Sequence, residues 1–197
     1  MIHDRLFPTN IFIKENFYQN YKDVEKSVRE DYKPNVPYWQ STPDLYKRRE
    51  YEHFTKSVLS FTAEILDKMS YVYEGFRVTD MWSNVLKPGE THKPHTHANN
   101  LLSGVYYPYA EKTSGIVFMD PRPQASVIKP TMKEILVDNC DVYEYNSNTN
   151  KIIVFPSWLQ HFVPINNSKT DRVSIAWNIQ ITGKVGRSKD FQSAEFV

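Results

Sequence analysis

Thr91-His92-Lys93-Pro94-His95-Thr96-His97, read with the distant Pro156-Ser157-Trp158-Leu159-Gln160-His161, is the part of the chain whose interpretation decides the fold. In an extended strand, side chains two apart share a face, so His95 and His97 aim together into one pocket. His161 lies on a second apolar segment and closes a three-point face around a metal. Further on, Arg172-Val173-Ser174 is a same-face pair able to hold a carboxylate. A His-x-His pair alone is more often solvated than metal-bound. The remote third histidine and the downstream cation give this one its meaning.

Outward from these segments the chain has the texture of short strands. From Phe76 on, apolar runs near 76–86, 101–108, 115–119, 151–156 and 172–181 read as strands, with weaker candidates at 125–129, 134–137 and 141–145. Lys87-Pro88-Gly89-Glu90, Thr113-Ser114-Gly115 and Asn146-Ser147-Asn148-Thr149-Asn150 supply the turns. With no helical period after residue 70, the mainly β class follows, as an antiparallel sandwich or jelly roll.

The first 75 residues read as a supporting layer. Leu6-Phe7-Pro8-Thr9-Asn10-Ile11-Phe12-Ile13 is a short strand that Pro8 confines to a sheet edge. Phe17 to Tyr32, with Tyr21, Val24 and Val28 in step, is a short amphipathic helix. Pro34, Pro37 and Pro43 make residues 33–46 a loop, of a kind that can cover a pocket but is read first as a plain surface connection. Lys47 to Met69 is the clearest helix: Phe54, Val58, Phe61, Ile65, Leu66 and Met69 form one apolar stripe to lie against a sheet. His53, beside that stripe, is read as a surface or half-buried residue. The whole chain, 1–197, is expected to be one domain, with 1–75 as strand and supporting helices and 76–185 as the jelly-roll core.

Composition narrows the function. A formal charge of +1 carries no electrostatic footprint for nucleic acid or for a polybasic membrane patch. No apolar run approaches the length of a membrane span, and the first residues lack the apolar core of a signal peptide. Cys140 is the one cysteine, so an internal disulfide is impossible and a cytoplasmic home is expected. A homodimer stays open. A facial site of three ligands with the opposite side free is the arrangement of non-haem iron oxygenases, the leading reading of the residues themselves.

Six blocks then carry a family resemblance. They are Trp82-Ser83-Asn84, His95-Thr96-His97, Leu102-Ser103-Gly104-Val105-Tyr106-Tyr107, the stretch from Gly115 to Arg122, Val154-Phe155-Pro156-Ser157-Trp158-Leu159-Gln160-His161, and the stretch from Arg172 to Asn178. In this order, across about residues 80–180, the chain resembles the 2-oxoglutarate/iron(II) oxygenases. Weaker similarity reaches back to Leu6-Phe7-Pro8-Thr9. The resemblance implies a double-stranded β-helix, with Fe(II), 2-oxoglutarate and O2 as cofactors and hydroxylation of a C–H bond as the reaction. By position it makes His95 the first iron ligand and His161 the last. It makes Arg172 the anchor of the distal 2-oxoglutarate carboxylate, with Ser174 a further donor and the Tyr107 hydroxyl reaching the same group. Tyr106 then faces packing.

The chain departs from the family where Asp or Glu is usual, for that position is His97. An all-histidine triad lacks the carboxylate's negative charge, so its iron is one unit more positive and favours an anionic cosubstrate. Asn99 or Asp141 remains a further candidate for the sphere. His92 is read as a loop residue off the shared face, and His161 as a pocket histidine with little part in core packing. Trp82, Asn84 and Asn178 are read as neighbours of the site, Asn178 equally as a core amide. Phe155 and Trp158 are read as core, and Arg122 as a residue at the pocket mouth. The substrate, a small molecule or a protein side chain, is not legible. Two other readings stay open: a three-histidine cupin-type oxygenase that does not use 2-oxoglutarate, and a non-catalytic jelly-roll binding module.

Overall fold

The computed structural model describes residues 1–187, 189 and 191–197. Two antiparallel sheets face each other. The larger has the order β1 (Phe12–Lys14), β7 (Lys151–Pro156), β4 (Leu102–Tyr109), β9 (Arg172–Val185), β10 (Ala194–Phe196), with β2 (Gly75–Leu86) also paired to β9. The smaller has the order β3 (His92–His95), β8 (His161–Val163), β5 (Ile116–Met119), β6 (Val142–Tyr145). Helices α1 (Tyr21–Asp31) and α2 (Glu52–Lys68) cover the outer face of the larger sheet.

Period-two alternation sorts the larger sheet's residues between its two faces. Val173, Ile175, Trp177 and Ile179 of β9 pack outward with Phe54, Val58, Ile65 and Leu66 of α2 and with Val24 and Val28 of α1. Phe54 sets its ring 4.8 Å from Tyr106 and 6.3 Å from Trp177, the centre of an aromatic layer. Burying each such side chain contributes about 1.5–3 kcal/mol. The inward set, Val105, Tyr107, Ile153 and Phe155, meets Ile116 and Phe118 of the smaller sheet. Arg172 and Ser174 belong to this inward set. The side chains that matter for function therefore lie between the sheets.

Gly104 has a packing reason, because a Cβ there would lie 2.2 Å from Trp177 Cζ2. Trp177 is fully buried and has no room to retreat. Gly104→Ala is expected to cost about 1–3 kcal/mol through overpacking, read as a drop in the denaturation midpoint.

Three features differ from the sequence reading. Residues 125–129 and 134–137 are not strands: Val127, Ile128, Ile135 and Val137 are exposed, and Pro121, Pro123 and Pro130 remove the N–H donors a ladder needs. Short strands β3, β8 and β10 appear where no alternating pattern was read. Residues 33–46 are more than a connection. Ser41 donates its N–H to Ser83 O at 3.0 Å, and Met81 donates to Pro43 O at 2.8 Å, so this strap covers the open edge of β2. Trp39 and Leu45, both buried, anchor it. Among the described residues no helix is long and apolar enough to cross a membrane.

Candidate metal centre

β3 ends at His95, which pairs in register with His161 at the start of β8. His97 follows in the loop beyond β3 and is fixed by its own N–H, which donates to Ser157 O at 2.9 Å. The chain leaves the strand between the two histidines, so the same-face argument is not what brings them together. One ligand atom from each of His95, His97 and His161 lies within 4.8 Å of the others. The ring centroids stand 4.4 Å (95–161), 5.1 Å (95–97) and 5.1 Å (97–161) apart.

The backbone fixes which nitrogen faces inward. His95 Nδ1–H donates to Lys93 O at 2.7 Å, and His161 Nδ1–H donates to Leu159 O at 2.9 Å. Each carbonyl lies two residues upstream and leaves Nε2 with its lone pair free, the tautomer a metal requires. His97 Nε2 lies 3.3 Å from His161 Nε2. Two nitrogens bound to one ion at roughly 2.1 Å and at right angles stand about 3 Å apart. The donor set thus fits a divalent transition metal held on one face.

Surroundings hold His97 and His161 neutral. His161 is buried against the rings of Phe155 (4.7 Å) and Phe118 (6.0 Å), so it is a packed residue and not the loosely held one expected. Burial holds its pKa at about 3, against its backbone hydrogen bond, with the other histidines lowering it further. Burial, helped by His95, holds His97 at about 4, with Asp80 pulling the other way. The unfolded chain takes up these protons below about pH 6.5, and the folded chain only near pH 3–4. The metal-free protein is therefore expected to lose stability as pH falls from about 6.5 toward 4. Denaturant melts across that window check this, and a flat profile would mean the imidazoles are open to water.

No Asp or Glu among the described residues joins the three histidines. Asp141 pairs with Lys129 and borders a different groove, together with Arg122, which is held by Asp120 at 2.9 Å and so does not face this pocket. Asn99 accepts from Gln180 through its backbone carbonyl at 2.9 Å. His92 is the correction on the other side. It is a β3 residue that lines the same cavity as the triad, where burial, with Arg172 next, holds it at about 4. Trp158 is 56% exposed, because the turn after Pro156 sends Leu159 into the core in its place. Asn178 accepts from Ser103 Oγ at 2.8 Å, which also meets Ser157 Oγ at 2.8 Å, a core amide network under the His97 loop.

The cavity, about 670 Å³, runs from the imidazoles to Arg172 and Ser174. Arg172 is 2% exposed. Its Nε donates to Ser114 O at 2.9 Å, Nη1 to Ser174 Oγ at 3.0 Å and Nη2 to Tyr107 Oη at 3.2 Å. A guanidinium has five N–H groups, so one on each Nη is left over, a fork shaped for a carboxylate. No carboxylate among the described residues pairs with it. Buried cations are ordinarily paired, so this one marks a place for an anion. Burial raises the Tyr107 phenol against the pull of Arg172, which keeps it a neutral donor. Tyr106 turns to the other face, where its hydroxyl donates to Asn150 Oδ1 at 2.8 Å. Trp82 lies 5.7 Å from His97, ring to ring, and Tyr38 and Gln40 of the strap border the cavity. The sequence offered that wall only as the second choice for residues 33–46, because a proline-rich loop has no period to betray what it covers.

Comparison with known proteins gives a consistent picture. The model of the family described as "Putative 2OG-Fe(II) oxygenase" matches residues 80–178, half of the chain, and does not extend back to Leu6. Similar solved structures include a Pseudomonas putida prolyl-4-hydroxylase, with 13% identity, 87% of this chain and 88% of that chain covered, and a TM-score of 0.59. HygX from Streptomyces hygroscopicus, solved with nickel, 2-oxoglutarate and hygromycin B bound, has 10% identity, coverage of 87% and 83%, and a TM-score of 0.62. The viral collagen prolyl hydroxylase vCPH from Paramecium Bursaria Chlorella virus-1, in its 2OG complex, has 13% identity, coverage of 86% and 94%, and a TM-score of 0.56. At these identities the likeness is one of fold, the jelly roll. No curated protein matches the sequence.

Proposed function

Since the chain belongs to the 2OG-Fe(II) oxygenase family, we propose that it is a hydroxylase in which His95, His97 and His161 hold the iron and Arg172, Ser174 and Tyr107 hold 2-oxoglutarate. The observation that carries this reading is the buried, uncompensated Arg172 in the same cavity as three clustered imidazoles. A metal oxygenase without a diacid cosubstrate has no use for such a cation, and burying it would be a cost without return.

Bound iron(II) supplies the activation of O2, with 2-oxoglutarate consumed to succinate and CO2 and a C–H bond of the substrate oxidised. The chain's own part is binding, orientation and exclusion of water. His95 and His161 present Nε2 because main-chain carbonyls occupy their Nδ1–H groups. The Arg172 fork would hold the far carboxylate of 2-oxoglutarate, and the Ser174 and Tyr107 hydroxyls keep the fork in place. His97 in place of a carboxylate leaves the metal one unit more positive, which strengthens its hold on an anionic cosubstrate. The substrate, a small molecule or a protein side chain, would share the cavity that Trp82 and the strap residues Tyr38 and Gln40 line. Cytoplasmic residence suits the single free thiol of Cys140.

Protein reconstituted with iron(II) and given 2-oxoglutarate is expected to bind one iron per chain and to release succinate and CO2. Iron binding without succinate would mean a three-histidine oxygenase of another kind. Failure to bind iron at all would mean a non-catalytic module.

A further inference from the structure

The strap and the cavity meet at one pair of amides. Asn84 on β2 is 3% exposed and stands in register with Ser174, with Leu86 opposite Arg172 and Trp82 opposite Ala176. It therefore lies along the cavity between the imidazole end, marked by Trp82 beside His97, and the guanidinium end. Gln40 of the strap donates from Nε2 to Asn84 Oδ1 at 2.7 Å. That bond occupies the Asn84 acceptor and leaves its Nδ2 amide as a donor in the cavity lining, where no described residue accepts from it. Asn84 Nδ2 is not one of the fully buried unpaired polar atoms, so it opens onto the cavity as a free donor placed to meet an acceptor on a ligand.

We propose that Asn84 donates a hydrogen bond to 2-oxoglutarate and that Gln40 is the positioning residue that turns the Asn84 amide toward it. The inference rests on the oxygenase reading above. Gln40 lies outside the stretch that the family model matches, so the device belongs to this chain's own strap. Its consequence is a coupling between cosubstrate and strap. Trp39, between Tyr38 and Gln40, is buried against Tyr32, ring to ring at 5.4 Å, and serves as the pivot. Tyr38 has a left-handed backbone (φ 53°), a conformation that a bulky residue keeps only when its neighbours hold it. Glu90 is the holder, accepting the Tyr38 N–H at 2.9 Å. A ligand that fixes the Asn84 amide also fixes Gln40, and by reciprocity a loosened strap weakens the ligand. Cosubstrate loading therefore tightens the Tyr38–Ser41 segment at the edge of the cavity.

The test uses the full chain loaded with nickel(II) in place of iron, so that binding is read without turnover. Calorimetric titration with 2-oxoglutarate is expected to show Asn84→Ala binding about tenfold or more weakly. Gln40→Ala should bind about threefold to tenfold more weakly. The double variant should be no weaker than Asn84→Ala alone, because Gln40 acts only through Asn84. Gln40→Glu keeps the size and can still bond Asn84, but only with the amide turned over, so it should lose affinity as Gln40→Ala does. Hydrogen exchange at the Ser41 N–H, bonded to Ser83 O, should slow on adding 2-oxoglutarate to the parent and not to Gln40→Ala. Unchanged 2-oxoglutarate affinity in the Asn84 and Gln40 variants, with nickel still bound, overturns the proposal and leaves the oxygenase reading standing. A parent protein that binds nickel but no 2-oxoglutarate brings down the oxygenase reading itself.

Discussion

Replacing His95 with alanine is expected to lower iron(II) affinity by more than about 100-fold, the loss that removing even an outer partner of a ligand can cause. The metal-free protein should keep its stability to within about 1 kcal/mol, as surface substitutions do. His95 is exposed at the end of β3 and gives the site one nitrogen, Nε2, while little packing depends on its ring. His161→Ala is the less clean experiment. That side chain is 4% exposed and packed on Phe155 and Phe118, so truncation costs about 2–3 kcal/mol of stability as well as the ligand. Metal analysis of protein purified without chelator, beside a thermal melt, separates the two effects. Iron retained by His95→Ala at parental affinity would show that the three imidazoles do not share one ion.

Arg172→Leu should do the reverse: spare iron and remove the cosubstrate. Losing a desolvated charge pair to the diacid is worth about 2–5 kcal/mol of 2-oxoglutarate affinity. The effect on the fold runs opposite to the usual one for a buried residue. Among the described residues no carboxylate compensates the guanidinium, so a neutral apolar side chain removes an isolated buried charge. The metal-free, ligand-free variant is expected to melt at or above the parent's temperature, although it gives up three hydrogen bonds to Ser114, Ser174 and Tyr107. Calorimetry with 2-oxoglutarate and paired melts measure both. A variant that loses several kcal/mol of stability while still binding 2-oxoglutarate would make Arg172 a structural residue.

Sequence patterns exposed most of what the larger sheet does, because burial on both faces leaves long apolar runs such as 151–156 and 172–181 in plain view. The smaller sheet was harder to see. Its strands β3 and β8 are three or four residues long, and His92-Lys93-Pro94-His95 has the composition of a loop. His92 was misplaced for that reason. That His95, His97 and His161 come together was legible, because few residue types suit a metal, but how His97 is held was not, since a backbone bond to Ser157 leaves no mark in the side chains. The strap ranked second as a wall, behind a plain connection, for a related reason. Its place is dictated by the unpaired edge of β2, a demand made by a neighbour and not by its own residues. Trp158 failed in the other direction, where a large aromatic was assigned to the core and Leu159 took the position.

The carbonyls of Lys93 and Leu159 that orient His95 and His161 belong to the main chain. Enzymes that steer a ligating imidazole with an aspartate or an asparagine expose that control to every mutation of the partner. Here the partner cannot be mutated away, so ring orientation survives sequence drift in the flanking side chains. Redesign of the cavity for a new substrate can therefore change its lining residues freely without resetting how the two nitrogens are aimed.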